Sequence, residues 1–269
     1  ECVCDECGHE YVPKEGTAGR GSYTCRSCGQ KYRITDATQE QDGYNHKLYG
    51  LEYYCTICDE RKDYDRSEVK GYREVQQEDI DLAEEARSEW EKRSELQEYI
   101  PDEEIPPGHM TSDRNPVFDH GYSYWSDMFN TRQKLTQSLL LRAIDSVEDE
   151  NAQEYLLLAF SDCLRGNNMM MGYIQVGNQS DHIFRTNSFD PPQRPCESNL
   201  WGLNYGTRTF SSIWEKVLRG VVWGGAPTDR YIEYPDEEGY PSVPRNSNLE
   251  SPETVETEPF SQPIGENTT

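Results

Sequence analysis

Nine cysteines are the residues of this 269-residue chain with the most chemistry to offer, and six come in pairs near the amino end: Cys4/Cys7, Cys25/Cys28 and Cys55/Cys58. Two cysteines with two residues between them, set in a tight turn, aim both sulfurs at one point. Two such turns supply four soft thiolates, the ligand set that tetrahedral Zn2+ prefers. In Cys4-Asp5-Glu6-Cys7-Gly8 and Cys25-Arg26-Ser27-Cys28-Gly29 a glycine follows the second cysteine, where the backbone must turn sharply under an ion. The spacing predicts a zinc ribbon with Cys4, Cys7, Cys25 and Cys28 as ligands. The competing chemistry is a pair of disulfides, the usual device of small extracellular domains. An odd cysteine count and no visible secretory leader weigh against it.

Cys55 and Cys58 have the same spacing but no fourth pair follows them. Three roles fit: a second metal site completed by ligands upstream of residue 1, a share in the ribbon by exchange with another pair, or plain thiols on a strand. Metal ligation is the expectation. Cys2 stands too close to Cys4 to form its own knuckle, His9 is a substitute ligand, and the isolated Cys163 and Cys196 read as small buried hydrophobes.

The elements that must position these sulfurs are short. A strand at Tyr11-Val12, a turn through Gly16, Gly19 and Gly21, and a return at Tyr23-Thr24 would close the ribbon. The run Tyr44 to Tyr54 is aromatic and strand-like, its tyrosines forming the hydrophobic face of a small sheet or a base-stacking platform. From Glu78 to about Glu98, Ile80, Ala83, Ala86 and Trp90 recur at helical spacing between charged faces, and Pro101, Pro106 and Pro107 stop the pattern.

Asn130 followed by Gln133 forms a capping box, so a helix starts just after Asn130 and runs through Leu135, Leu139, Leu140, Ala143 and Ile144. A second helix carries Tyr155 to Leu164, with Gly166 at a left-handed cap and Asp149-Glu150-Asn151 as the turn between the two. This hairpin is the expected main apolar core, with Met169, Met170 and Met171 packed against it. Arg132 and Gln133 stand at the helix start, where they are candidates for reading DNA edges or phosphates and equally for capping the helix. A third helical period spans Thr209 to Val222 and closes at Gly224-Gly225, and from Tyr234 onward the composition is that of a linker or disordered tail.

The fold class is therefore α+β: a small ribbon of short antiparallel strands, a mainly helical region, and an acidic tail. The expected divisions are 1–73 (ribbon and Tyr-rich strand), 74–110 (amphipathic helix and Pro-rich linker), 111–233 (helical region) and 234–269 (linker). The chain opens on Glu1 and inside a ligand pattern, so it reads as a segment of something longer. A formal net charge of −24, from 50 Asp+Glu against 26 Lys+Arg, fits a solvated acidic surface suited to a very salty cytoplasm. Such a surface repels phosphates, so any DNA contact must be local. No run approaches the ~18 apolar residues of a membrane span, and the expected location is cytoplasmic, away from membranes.

Taken in order, the ribbon knuckles, Tyr49-Gly50-Leu51-Glu52-Tyr53-Tyr54-Cys55, Ile100-Pro101-Asp102-Glu103-Glu104-Ile105-Pro106 and Trp125-Ser126-Asp127-Met128-Phe129-Asn130-Thr131-Arg132-Gln133 resemble the adenine-specific DNA methylases that contain a Zn-ribbon. The acidic composition resembles their haloarchaeal members. The likeness covers residues 1 to 225, and after the cysteines the run Asp127 to Gln133 is its most specific part. It implies S-adenosylmethionine-dependent methylation of adenine N6 in DNA on a Rossmann-like α/β catalytic domain, with Zn2+ in the ribbon, and with DNA and the other domains of the same enzyme as partners.

The sequence departs from that pattern where the chemistry would lie. No glycine-rich Asp-Pro-Phe-x-Gly-x-Gly turn occurs, and Asp190-Pro191-Pro192-Gln193 is the only candidate for the Asp-Pro-Pro-Tyr loop. Gln193 has no aromatic face to stack on a flipped base. No catalytic or cofactor residue is therefore assigned within these 269 positions. The expected function is the ribbon-containing region of such a methyltransferase, its catalytic motifs outside this chain. A non-catalytic zinc-ribbon adaptor for nucleic acid or protein is the alternative, and an inactive remnant of a methylase a third possibility.

Overall fold

Each cysteine pair near the amino end sits in the turn of its own antiparallel hairpin. In the computed structural model β1 (Cys2–Val3) pairs with β2 (Glu10–Tyr11), and β3 (Ser22–Thr24) with β4 (Lys31–Arg33). The expected ribbon strands at Tyr11-Val12 and Tyr23-Thr24 do not pair with each other: Tyr11 faces Cys2 and Tyr23 faces Tyr32. The reason is local. A Cys-x-x-Cys-Gly turn reverses the chain by itself, so each knuckle closes its own hairpin, and the glycine-rich stretch serves as the link between hairpins. The structure describes residues 2–11, 21–33, 35–36, 46–61, 69–113, 117–185, 189, 191–192, 194–202, 208–225, 228–231 and 253–256.

The chain forms two compact units, Glu1–Ile213 and Trp214–Thr269. The boundaries expected at 73/74 and 110/111 fall inside the first unit, and the one at 233/234 inside the second. In the first unit β5 (Gly50–Tyr54) leads into a short helix α1 (Thr56–Glu60), and β6 (Lys70–Glu74) returns antiparallel to β5. This third hairpin does not bury its tyrosines as a hydrophobic face, since Tyr49 and Tyr53 are exposed. It docks through a polar seam instead. Lys70 pairs with Glu52 at 2.8 Å and donates to the carbonyl of Asn178 at 2.9 Å, while the Tyr173 hydroxyl bonds Glu52 and Tyr72. Tyr173 and Asn178 belong to a small β7 (Tyr173–Ile174) and β8 (Gln179–Ser180) hairpin and its turn.

The first long helix, α2 (Gln77–Lys92), is solvent-facing as its charged faces imply and buries no residue. It ends six residues short of the expected Glu98. At Arg93 the backbone leaves helical geometry, and Ser94–Tyr99 continues as a 3-10 helix that buries Leu96. The α2 N-terminus is held by Asp79, whose carboxylate takes a bidentate pair from Arg73 (2.6 and 2.7 Å) and the backbone N–H of Gln76 (2.9 Å). Arg73 first, and then the Gln76 N–H, hold its carboxyl down at about 2.

The helix α3 (Thr131–Asp145) begins where the capping box placed it: Asn130 Oδ1 accepts from the Gln133 N–H at 2.9 Å, and Gln133 Oε1 accepts from the Asn130 N–H at 3.0 Å. Its partner α4 (Glu150–Leu164) starts one turn earlier than expected. Asp149 accepts from the Ala152 N–H as the cap, so Glu150 and Asn151 belong to the helix and the connection is shorter.

Gly166 does not have the left-handed backbone expected of a C-cap glycine. It is glycine for space, because a Cβ there would lie 2.5 Å from the Cβ of Arg208. The expected hairpin core is present: Leu135, Leu140 and Ile144 of α3 and Ala159, Phe160 and Cys163 of α4 are buried, as are Met169, Met170 and Met171. A buried cluster not foreseen adds to it, formed by Ile105, Val117, Tyr122, Met128 and Met170, with Trp125, Phe129 and Phe189 packed on it. Irregular segments flanking the helices supply that cluster, and Met170 joins it because an unbranched thioether fills the gaps such segments leave.

The amphipathic helix α5 (Phe210–Gly225) closes at the paired glycines as its period requires. In the second unit β9 (Thr228–Tyr231) pairs antiparallel with β10 (Glu253–Glu256), so these four tail residues form a strand where composition indicated a linker.

Two measurements follow from the caps. Asn130→Ala is expected to lower unfolding free energy by about 1 kcal/mol, with Asn130→Asp within a few tenths of the native value, as read by urea titration. For Asp79 the folded carboxyl lies below its ordinary value of 3.8. Its stabilisation is thus complete above pH ~4 and is lost as pH falls through ~2. Asp79→Asn should melt earlier than the native chain at pH 7, and the two should converge toward pH 2.

Candidate metal centre

The two knuckles repeat one backbone device. Entering the first turn, the Cys4 N–H donates to His9 O (3.0 Å) and the Gly8 N–H to Cys4 O (2.7 Å). In the second, the Cys25 N–H donates to Gln30 O (2.8 Å) and the Gly29 N–H to Cys25 O (2.9 Å). Gly8 and Gly29 have φ of +68° and +79°, a region that a side chain disfavours, which is why both knuckles need glycine there.

The repeat brings four sulfurs together. Cys4, Cys7, Cys25 and Cys28 all have Sγ atoms within 4.8 Å of one another, with Cys4 to Cys28 at 3.7 Å and Cys7 to Cys25 at 3.6 Å. Four sulfurs each ~2.3 Å from a tetrahedral ion stand ~3.8 Å apart, so the cluster has the size such an ion requires. These are free thiols, far beyond the ~2.05 Å of a disulfide. The first cysteine of each pair is buried and the second exposed, leaving the centre open on one side.

The electrostatics of the four thiols bear on what a cation would do there. Burial resists ionisation of Cys4, yet hydrogen bonds from the Tyr32 hydroxyl and from the Cys7 and Glu6 N–H groups outweigh it and bring the thiol to about 6. At Cys28 the Gln30 N–H favours the thiolate, but burial and the neighbouring Cys25, Cys4 and Cys7 push it up to about 12. One thiolate thus opposes the next. A divalent ion removes that opposition and releases the protons.

Tyr32 was not singled out from sequence. Its hydroxyl accepts from the Glu6 N–H at 3.1 Å and lies 3.6 Å from Cys4 Sγ, while its ring stacks on the buried Tyr23 at 5.0 Å. It joins the two hairpins beneath the sulfurs. The available signal was a tyrosine on each strand flanking the second knuckle, at facing positions.

Cys55 and Cys58 are brought together as a pair but stay outside this cluster. Their turn reuses the same device, with the Cys55 N–H donating to Val69 O (2.7 Å) and the Asp59 N–H to Cys55 O (3.0 Å). The chain then continues into α1 because Asp59 stands where the ribbon knuckles have glycine. Cys55 Sγ accepts from the Cys58 N–H at 3.3 Å, and the Cys58 thiol, with that N–H, lowers the Cys55 thiol. Of the isolated cysteines, Cys163 is fully buried and burial pushes its thiol up to about 12, as an inert core residue requires. Cys196 is half-buried. Among the described side chains His9 does not enter the group of four, and the Cys2 side chain lies outside them.

The two candidate DNA-reading side chains are engaged inside the fold. Gln133 is buried as the reciprocal half of the Asn130 cap, and Arg132 holds the Glu197 carboxylate through Nε (3.0 Å) and Nη2. Asp190 and Gln193 lie outside the described residues.

No family model, curated protein or solved structure matches the chain. No helix among the described residues is long and apolar enough to cross a membrane.

A direct measurement separates the cysteine pairs. Zinc-reconstituted chain is expected to hold one tightly bound ion that is lost in Cys4→Ser and Cys25→Ser and retained in Cys55→Ser/Cys58→Ser, read by chelator competition and metal analysis. Loss of that ion in the Cys55/Cys58 variant would show that the pairs exchange.

Proposed function

We propose that this chain is the zinc-ribbon region of an S-adenosylmethionine-dependent DNA adenine-N6 methyltransferase, with the cofactor and catalytic motifs outside these 269 residues. The observation that carries the metal part is the convergence of the Cys4, Cys7, Cys25 and Cys28 sulfurs to within 4.8 Å of one another. Zn2+ is the ion because an all-thiolate tetrahedral set suits it and it needs no redox partner.

The enzyme part rests on the ordered sequence likeness, above all the run Asp127 to Gln133. That run opens α3 and contributes Met128 to the core, so in this reading it is scaffold. The acidic surface suits a salty cytoplasm. The Cys55/Cys58 pair takes a second ion in this reading only with ligands supplied from upstream of residue 1, so this chain alone holds one.

The missing glycine-rich cofactor turn favours one other reading, a non-catalytic zinc-ribbon adaptor. Reading the coding sequence on both sides of this segment, and assaying N6-methyladenine in DNA exposed to the whole product with the methyl donor, tests the choice. Methylated adenine, with a cofactor turn upstream and an Asp-Pro-Pro-Tyr-like loop downstream, is expected. Absence of both motifs and of methylation would leave the adaptor.

A further inference from the structure

The described acids and bases are not distributed evenly, and the exception lies on the ribbon. Residues 16–35 form the longest stretch without Asp or Glu in a chain of net charge −24, and they carry Arg20, Arg26, Lys31 and Arg33. Elsewhere several cations pair with nearby acids, as Arg73 does with Asp79, Arg93 with Glu89, Arg132 with Glu197, Arg142 with Glu95 and Arg165 with Asp162. Those outside such pairs, Lys47, Arg61, Lys92, Lys216 and Arg219 among them, stand in acid-bearing stretches, so it is the lack of acids that sets the ribbon apart. Arg26, Lys31 and Arg33 are exposed, and among the described residues none of the three forms a salt bridge.

The hairpin geometry sorts these side chains. Along β4 alternate residues face opposite sides. Tyr32 turns inward to Cys4 and Tyr23, which leaves Lys31 and Arg33 together on the outer face. Their cross-strand partners are Thr24 and Ser22. Arg26 and Ser27 stand exposed in the knuckle turn beside them. Two cations and two hydroxyls on one strand face, with a third cation exposed in the adjoining turn, are groups that bind phosphate oxygens.

We infer that the outer face of the β3–β4 hairpin, through Arg26, Lys31 and Arg33, binds the phosphate backbone of DNA. The inference rests on the DNA-directed reading above and replaces Arg132 and Gln133 as the contact. The acidic remainder of the chain repels phosphates, so this hairpin is the side by which the protein approaches the duplex. Phosphate contacts position a protein without reading sequence, which leaves target choice to other parts of the enzyme. A structural role competes: a tetrathiolate with a divalent ion carries two negative charges that nearby cations offset.

The test uses the whole zinc-loaded chain and a fluorescein-labelled 20-base-pair duplex of mixed sequence, by anisotropy between 0.1 and 0.4 M KCl, with circular dichroism confirming the fold at each salt. Three phosphate contacts predict that affinity falls about forty-fold over that range, a slope of about −2.7 in log K against log salt. Arg26→Gln/Lys31→Gln/Arg33→Gln should bind at least tenfold more weakly with a slope near zero and keep its metal. Arg26→Lys/Lys31→Arg/Arg33→Lys and Arg132→Gln should bind as the native chain does. Unchanged affinity in the triple Gln variant overturns the inference alone and leaves the methyltransferase reading standing. Weakened binding that merely follows loss of the ion also overturns it, in favour of the structural role. A native chain that binds no duplex, or prefers RNA of the same length by tenfold, removes both this surface and the DNA-directed reading.

Discussion

The amino-terminal module depends on the mutual approach of four sulfurs that would rather stay apart. Its strands are two or three residues long, and among their described side chains Tyr23 alone is large and buried. Isolated two-stranded hairpins of that size are marginal in water. The four sulfurs could hold a cation, and such an ion would supply what burial cannot, because binding free energy to a site absent from the unfolded chain is folding free energy. The glycines at Gly8 and Gly29 and the Tyr32 bridge serve the same end, bending two backbones until the sulfurs meet.

Beyond the ribbon, order comes from different physics. The helices are fixed at their ends by side chains that satisfy orphan N–H groups, as at Asn130, Asp149 and Asp79. They bury Leu135, Leu140 and Ile144 of α3 and Ala159, Phe160 and Cys163 of α4, while Leu157 and Leu158 stay exposed. Ile105, Val117 and Tyr122 from irregular backbone form a further cluster with Met170. Polar seams complete the first unit, where Lys70, Glu52 and Tyr173 tie hairpins distant in sequence. Burial and the Glu52 carboxylate raise Tyr173, so it stays a neutral hydrogen-bond donor across ordinary pH.

The charge pattern joins the two parts. An acidic surface holds water and keeps copies apart, and it also excludes polyanions from most of the molecule. One basic hairpin in such a chain therefore has directional meaning, whichever anion it faces. It carries two of the four clustered cysteines, Cys25 and Cys28.

What the sequence determined alone was local. The Cys-x-x-Cys-Gly spacing announced the four-sulfur site, and Asn130 with Gln133 announced the start of α3, because each depends on residues three or four apart whose geometry the backbone alone dictates. Tertiary structure decided everything that turns on distance along the chain. It closed each knuckle on its own hairpin, kept Cys55 and Cys58 out of the cluster, and reserved Gly166 for the approach of Arg208. It also added to the helical hairpin's buried residues a cluster from segments with no periodicity, and turned Lys31 and Arg33 outward by turning Tyr32 in. No spacing rule encodes such choices, since they follow from which surfaces meet once the chain has collapsed.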